Sequence, residues 1–300
     1  MLVHFTGDPN AHFLNDLRRC FERDSLAADR GHDATVIWVE WANHQAIAPI
    51  HKHRAKKILV RCHAHELDNP ESFRRIPWEH VDVLVFVSRV KHDLFKRRYP
   101  DISVRTCCIP NAIDTGRFAF RPKVECGFAI GMLGRVYPNK GILGALLLLR
   151  LLDRRWRLIV QGEVRRKHRR YALQLQLSTA LLGLRDRVEF VAYNPHPQSF
   201  FDRIDIILSN SRVESFHAVV AEGMSCGCFP VVHDWPGARD LYPESQIYAT
   251  RSAFRAIVRR YEAMSQNERL AAAEGHRAYV STRYGVESVY HRYKELLVSL

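Results

Sequence analysis

Short β-branched runs alternate with longer segments of helical period along most of this chain, and no other feature constrains the fold as much. Thr35–Val39, Lys57–Arg61, Val83–Val87 and Arg105–Ile109 read as predicted strands in the first part. Phe128–Met132, Arg157–Gln161, Val188–Val191, Ile204–Ser209 and Pro230–His233 do so in the second. The predicted helices are His12–Ala28, Lys91–Tyr99, Gly141–Leu152, Lys167–Leu182, Ala218–Cys226, Ala253–Met264, Gln266–Tyr284 and Glu287–Leu297. Strands within apolar runs, separated by helices, imply parallel sheets built from βαβ units. Helices then cover both faces of each sheet, which gives a three-layer α/β architecture.

The alternation restarts near residue 125. The stretch before it lacks periodicity and contains Pro110, Gly116 and Pro122, as a linker would. Two Rossmann-like domains are therefore expected, residues 1–115 and 116–285, with a terminal helix over 286–300 crossing back to the first. Ligands of such sheets bind at the carboxyl ends of the strands.

Composition narrows the partners. The chain is 47% hydrophobic and 26% charged, as folded soluble proteins are. The longest apolar segment, Ile142 to Leu152, is far short of the ~20 residues of a membrane span. The opening Met-Leu-Val-His-Phe-Thr-Gly-Asp lacks the basic stretch and apolar core of a secretory signal. Seven cysteines, including Cys107–Cys108 and Cys226/Cys228, form no disulfide framework, and a cytoplasmic setting is expected. The net charge of +13 is concentrated in Lys52–Arg61, Lys91–Arg98 and Arg165–Arg170. Such a field suits acidic substrates or peripheral contact with the anionic inner face of a membrane. Nucleic acid is not expected as a partner, because no recognition helix or aromatic-bearing sheet stands out.

Two segments carry chemistry. Gly131-Met-Leu-Gly-Arg-Val-Tyr-Pro-Asn-Lys-Gly141 leaves a strand, turns at Gly134 and enters a helix. Backbone N–H groups at such a helix start favour an anion, and Arg135 and Lys140 add two cations. Together they would neutralise a diphosphate without a metal. An ordinary βα turn with a surface arginine and lysine is the alternative reading. The second segment, Ser209 to Val232, ends a strand and carries Glu214 and Ser215 into a helix from about Phe216. At ~100° per residue, Glu214 and Glu222 would share one cleft if Glu214 capped that helix. Each carboxylate would then accept a pair of sugar hydroxyls. Two solvated glutamates on one helix are the plainer alternative.

The combination resembles the GT-B glycosyltransferases of family 4, retaining enzymes that use nucleotide sugars. The family's Gly-Arg…Lys-Gly turn, its Glu-x7-Glu motif and its Gly-x-Pro-Val-Val sequence are matched here, the last as Gly227-Cys-Phe-Pro-Val-Val232. Ile109-Pro-Asn-Ala-Ile-Asp-Thr-Gly-Arg-Phe118 is similar to the family's hinge. The match spans roughly residues 105–297. The resemblance implies a GT-B fold, two Rossmann-like domains facing across a cleft, with hexose transfer from a nucleotide-diphosphate sugar to a hydroxyl acceptor.

It also implies roles. Arg135 and Lys140 would clamp the donor diphosphate, with Ser215, Phe216, His217 and Ala218 offering backbone N–H groups. Glu214 would hold donor-sugar hydroxyls, Glu222 the ribose, and Tyr193 and Asn194 would flank the nucleobase. His63, in Lys57-Ile-Leu-Val-Arg-Cys-His-Ala-His-Glu66, would face the donor sugar, with His65 in reserve and Arg61 and Glu66 shaping the pocket. No metal and no cofactor beyond the nucleotide sugar is implied, and the chain contains no Asp-x-Asp triplet. The chain departs from the pattern in its first domain, which is short, with the hinge beginning near residue 109. Thr6-Gly7-Asp8 is a slight substitute for the family's glycine-rich opening loop. An inactive nucleotide-sugar-binding protein and a DNA-modifying transferase are the competing readings. A metal hydrolase built on His51, His53, His63 and His65 lacks further ligand spacing.

Overall fold

The computed structural model describes residues 1–6, 12–63 and 65–300, so Gly7 and Asp8 of the opening turn lie outside the described residues. The chain forms two compact units. Met1–Asp114 and Ser281–Leu300 make the first, and Thr115–Val280 the second.

In the first unit, strands β1 (Val3–Thr6), β2 (Val36–Glu40), β3 (Lys57–Cys62), β4 (Val83–Phe86) and β5 (Arg105–Cys108) run parallel and lie side by side in sequence order. Helices α1 (His12–Arg23), α2 (Ile47–Lys52), α3 (Pro70–Arg74) and α4 (Arg89–Arg98) connect them. In the second unit, β6 (Ala129–Leu133), β7 (Arg157–Gln161), β8 (Val188–Val191), β9 (Ile206–Ser209), β10 (Phe229–His233) and β11 (Ile247–Tyr248) form another parallel sheet. The helices there are α5 (Ile142–Leu149), α6 (Arg169–Leu181), α7 (Gln198–Phe201), α8 (Ala218–Ser225), α9 (Ala238–Leu241) and α10 (Arg251–Ala263). Helix α11 (Gln266–Tyr284) follows, and α12 (Val286–Val298) belongs to the first unit. No helix among the described residues is long and apolar enough to cross a membrane.

Side-chain alternation along the strands builds the cores. Ile37, Val39, Ile58, Val60 and Phe86 face one side of the first sheet, where Phe73 and Phe95 cover them. Their neighbours Val36, Trp38, Leu59 and Val85 turn to the other side, against Leu17 and Phe21 of α1 and Tyr290 and Tyr293 of α12. Phe21 meets Tyr290 edge-on with ring centroids 4.9 Å apart, and Trp38 lies 4.4 Å from Tyr293. Burial on both faces explains why these strands read as continuous apolar runs.

The second sheet has the order β11-β10-β9-β6-β7-β8. From β6 the chain winds outward through β7 to β8, then returns to β9 on the other side of β6. The direction of winding reverses there, so β6 and β9 flank a topological switch point. Loops diverge at such a point and leave a crevice at the strands' carboxyl ends. The first sheet, in strict sequence order, has no such reversal.

Two strands escaped the sequence reading, β1 and the two-residue β11, both too short to show a period. Helix α1 stops at Arg23 instead of running to residue 28. The chain turns at Ser25, whose φ is 57°, and residues 26–28 bond to β1 through Val3 N to Leu26 O and Ala28 N to Val3 O, each 2.8 Å or less apart.

Candidate functional site

The loops leaving β6 and β9 are joined by short contacts. Beyond β6 the chain passes Gly134, makes a tight turn over Pro138–Lys140 and starts α5 at Gly141. Gly141 has φ 67°, and a Cβ there would lie 2.0 Å from the carbonyl oxygen of Asn210. Only glycine meets both demands. Asn210 donates from Nδ2 to Gly141 O at 2.6 Å and accepts the Tyr248 hydroxyl at 2.5 Å. Asn139 donates to Val213 O and accepts from Arg212 N, both at 2.9 Å.

This stitching sets Lys140 against Glu214, with Nζ 2.6 Å from Oε1. Both side chains are largely covered, 16% and 14% exposed. Burial pushes the Glu214 carboxyl up, but His217 and Lys140 outweigh it and hold the group below the usual carboxylate range. The Glu214 carboxylate is thus ionised and already holds the ammonium that an incoming anion would compete for.

His217 stands three residues on, its Nε2 3.9 Å from Glu214 Oε1 and its Nδ1 bonded to Ser209 Oγ at 2.7 Å. Its backbone is left-handed, with φ 55°. The Tyr242 hydroxyl holds this kink by donating to Phe216 O at 2.7 Å and His217 O at 3.0 Å. Burial, reinforced by the Lys140 charge, lowers the His217 pKa to about 4, so the ring is neutral near pH 7. His217 is the N-cap of α8, and its side chain makes no capping bond to the helix's first turn. The leading N–H groups and positive dipole end of α8 therefore lack the acceptor that an N-cap side chain usually supplies.

One expectation is corrected here. Glu214 does not cap α8; the helix starts at Ala218 behind His217, so the angular offset drawn from Glu214 to Glu222 along one helix does not apply. The left-handed residue breaks the helix before it reaches the glutamate. Glu222 is half-buried within α8, and the Phe216 side chain is buried in the core, leaving that residue only its backbone to offer a ligand. Ser215 and Ala218 are half-buried on either side of the kink. Arg135 is exposed just beyond β6, its guanidinium 5.9 Å from the centre of the Tyr137 ring. Tyr193 and Asn194 follow β8, two strands from β6, about 10 Å across at normal strand spacing. Tyr193 is 64% exposed, and Asn194 closes a turn by accepting from His196 N at 2.9 Å. Lys140, Glu214 and His217 are thus the expected residues that the structure brings into contact.

In the first unit, His63 follows β3 and is buried. Its Nε2 lies 2.5 Å from Glu40 Oε1, and its backbone N–H donates to Glu66 at 3.0 Å. Glu40 also accepts from Arg61 at 3.2 Å and from the Trp38 indole at 2.7 Å, while Arg61 donates to Asn111 at 2.7 Å. Burial raises the Glu40 carboxyl, but Arg61 and His63 reverse that and hold it at about 2. Arg61 is wholly buried, so it braces this network from within the fold. His65 is exposed.

The sequence reading missed Glu40, which ends β2, and Trp41, which follows it. Trp41 has φ 78°, rare for a bulky residue, and its ring lies 4.4 Å from that of His63. Glu40, Trp41, Asn43, Gln45 and His65 line part of a 580 Å³ pocket at the carboxyl ends of β1–β3. A glutamate closing the apolar run Val-Ile-Trp-Val was the available signal. Among the described residues no three His, Cys, Asp or Glu side chains gather as a metal centre requires.

Residues 118–278, more than half of the chain, match the family described as glycosyl transferases group 1. Among curated proteins, the GDP-mannose:cellobiosyl-diphosphopolyprenol alpha-mannosyltransferase of Xanthomonas oryzae pv. oryzae is 28% identical over 195 residues, covering 62% of this chain and 50% of that protein. The protein of the same name from Xanthomonas campestris is 29% identical over 159 residues, covering 51% of this chain and 40% of its own. The chain thus spans half or less of the length of these relatives. Among solved structures, Anabaena HepE in complex with UDP superposes with a TM-score of 0.80 at 17% identity, each chain covered completely. That likeness shows the fold, two parallel α/β sheets of the GT-B type.

Proposed function

The chain belongs to the glycosyl transferases group 1, and from that premise we propose that it moves a hexose from a nucleotide-diphosphate sugar to a hydroxyl acceptor, retaining the anomeric configuration as family 4 enzymes do and using no bound metal. The observation that carries this reading is the Lys140–Glu214 pair at the switch point, beside the uncapped start of α8. A diphosphate needs cations and N–H donors together, and a sugar needs an ionised carboxylate close by. The reading gives the phosphates to Lys140, Arg135 and the first N–H groups of α8, and the sugar hydroxyls to Glu214. Glu222 takes the ribose, and Tyr193 and Asn194 the base.

Negative charge grows on the departing diphosphate as the anomeric bond breaks, so groups preset around it act mainly electrostatically. His217, neutral near pH 7 and held by Ser209, adds no competing charge beside Glu214. The leaving phosphate accepts the proton of the incoming hydroxyl, and no enzymic nucleophile is needed. His63, fixed by Glu40, is assigned to the sugar end of the reaction. Cytoplasmic location remains part of the same reading. The Xanthomonas relatives are named for a GDP-mannose donor and a cellobiosyl-diphosphopolyprenol, so a mannosyl donor and a lipid-linked acceptor are the first pair to assay.

The test is a panel of UDP-, GDP- and ADP-sugars incubated with acceptor, with and without EDTA, and the product anomer read by NMR. Retained configuration with EDTA-insensitive turnover is the expected result. Inversion, dependence on added metal, or binding without turnover under any pairing contradicts the corresponding part of the proposal.

A further inference from the structure

Helix α6 has a face that its own unit does not cover. Leu175 and Thr179 are buried against the fold. Leu173, Leu177 and Leu181 are 56%, 57% and 87% exposed. Steps of four residues advance ~400°, so the three leucines drift by only about 80° in all and form one stripe, opposite the buried pair. Arg169 lies one step before Leu173 on the same row.

Charge indicates what covers the stripe. From Val164 to Arg185 there is no Asp or Glu, while Arg165, Arg166, Lys167, Arg169 and Arg170 crowd the amino end of α6, all exposed. A protein partner would meet an apolar patch beside an unbroken basic one. An anionic lipid surface offers both complements at once, acyl chains for the leucines and phosphates for the cations. The geometry points to α6 as a membrane-surface helix, its last two turns dipping among acyl chains and its basic end among anionic headgroups. This goes beyond the transfer reaction and does not depend on it, since a protein that bound no nucleotide sugar would still dock.

The experiment is co-sedimentation of the full chain with vesicles of phosphatidylcholine alone and with added phosphatidylglycerol. Binding to the anionic vesicles is expected, with little to the neutral ones. Arg166→Gln with Arg170→Gln weakens partitioning roughly 25-fold, about fivefold per basic residue. Leu177→Ser with Leu181→Ser weakens it about tenfold or more. Circular dichroism and urea midpoints stay unchanged, because the altered side chains are exposed. Equal binding to both vesicle types overturns the inference, as does binding that survives both double variants. A leucine variant that converts a dimer to a monomer in sedimentation velocity, without any vesicle binding, overturns it in favour of a second copy on that face.

Discussion

Lys140 and Glu214 hold each other at 2.6 Å in a largely covered setting, and this pair sets what each substitution does. In the proposed reaction Lys140→Ala removes a cation assigned to the developing phosphate charge, and turnover is expected to fall roughly 10²–10³-fold. Stability should drop by about 1–3 kcal/mol at most, as Glu214 loses a partner. Steady-state kinetics with urea unfolding separate the two effects. Gly141→Ala acts differently. A Cβ driven to 2.0 Å from the Asn210 carbonyl, at a left-handed φ, should cost about 1–3 kcal/mol or more and loosen the join between the two loops. An unchanged urea midpoint for that variant would contradict the stitched arrangement.

The kink before α8 is the element on which the site depends. It presents Glu214 beside the helix start, and Tyr242 pins it through two backbone carbonyls. Tyr242→Phe should cost about 1–2 kcal/mol and raise the donor KM more than it lowers kcat, since the helix tip would wander. Equal donor binding in the variant would remove the kink from the account. Most strands were legible in the sequence because burial on both faces makes a parallel strand a bare apolar run. Arg157–Gln161 was bounded to the residue on that ground, and so was the edge strand Val188–Val191, whose Glu189 and Phe190 are exposed, through its β-branched ends. The Gly141 turn was legible through its glycines and cations. The His217 kink was not, because a histidine carries no local mark of a left-handed backbone and only Tyr242 and Ser209, distant in sequence, hold it there. Glu40 was hidden for a similar reason. Its partners Arg61 and His63, and the Asn111 that Arg61 holds in turn, come together only through strand register and the loop after β5.

At the scale of the whole molecule, His217 and His276 contribute most to the acid response among the described histidines. Burial lowers His217 and His276 to about 4, while an unfolded histidine takes its proton near 6.5. Between those values the unfolded state binds more protons, so stability rises with pH through the window and is lost as pH falls from about 6.5 to about 4, by up to about 3 kcal/mol per histidine. Urea unfolding at pH 7.5 and 5 reads this, and His276→Gln should flatten the slope. Glu40 acts lower, its contribution present above about pH 4.3 and lost toward pH 2. The central claim is that a nucleotide diphosphate sits on Lys140 at the β6–β9 switch point. Titration calorimetry of the wild type and Lys140→Ala with UDP, GDP and ADP tests it most directly. One nucleotide is expected to bind the wild type and to bind the variant at least about tenfold more weakly; equal affinity in both proteins would take the diphosphate off Lys140.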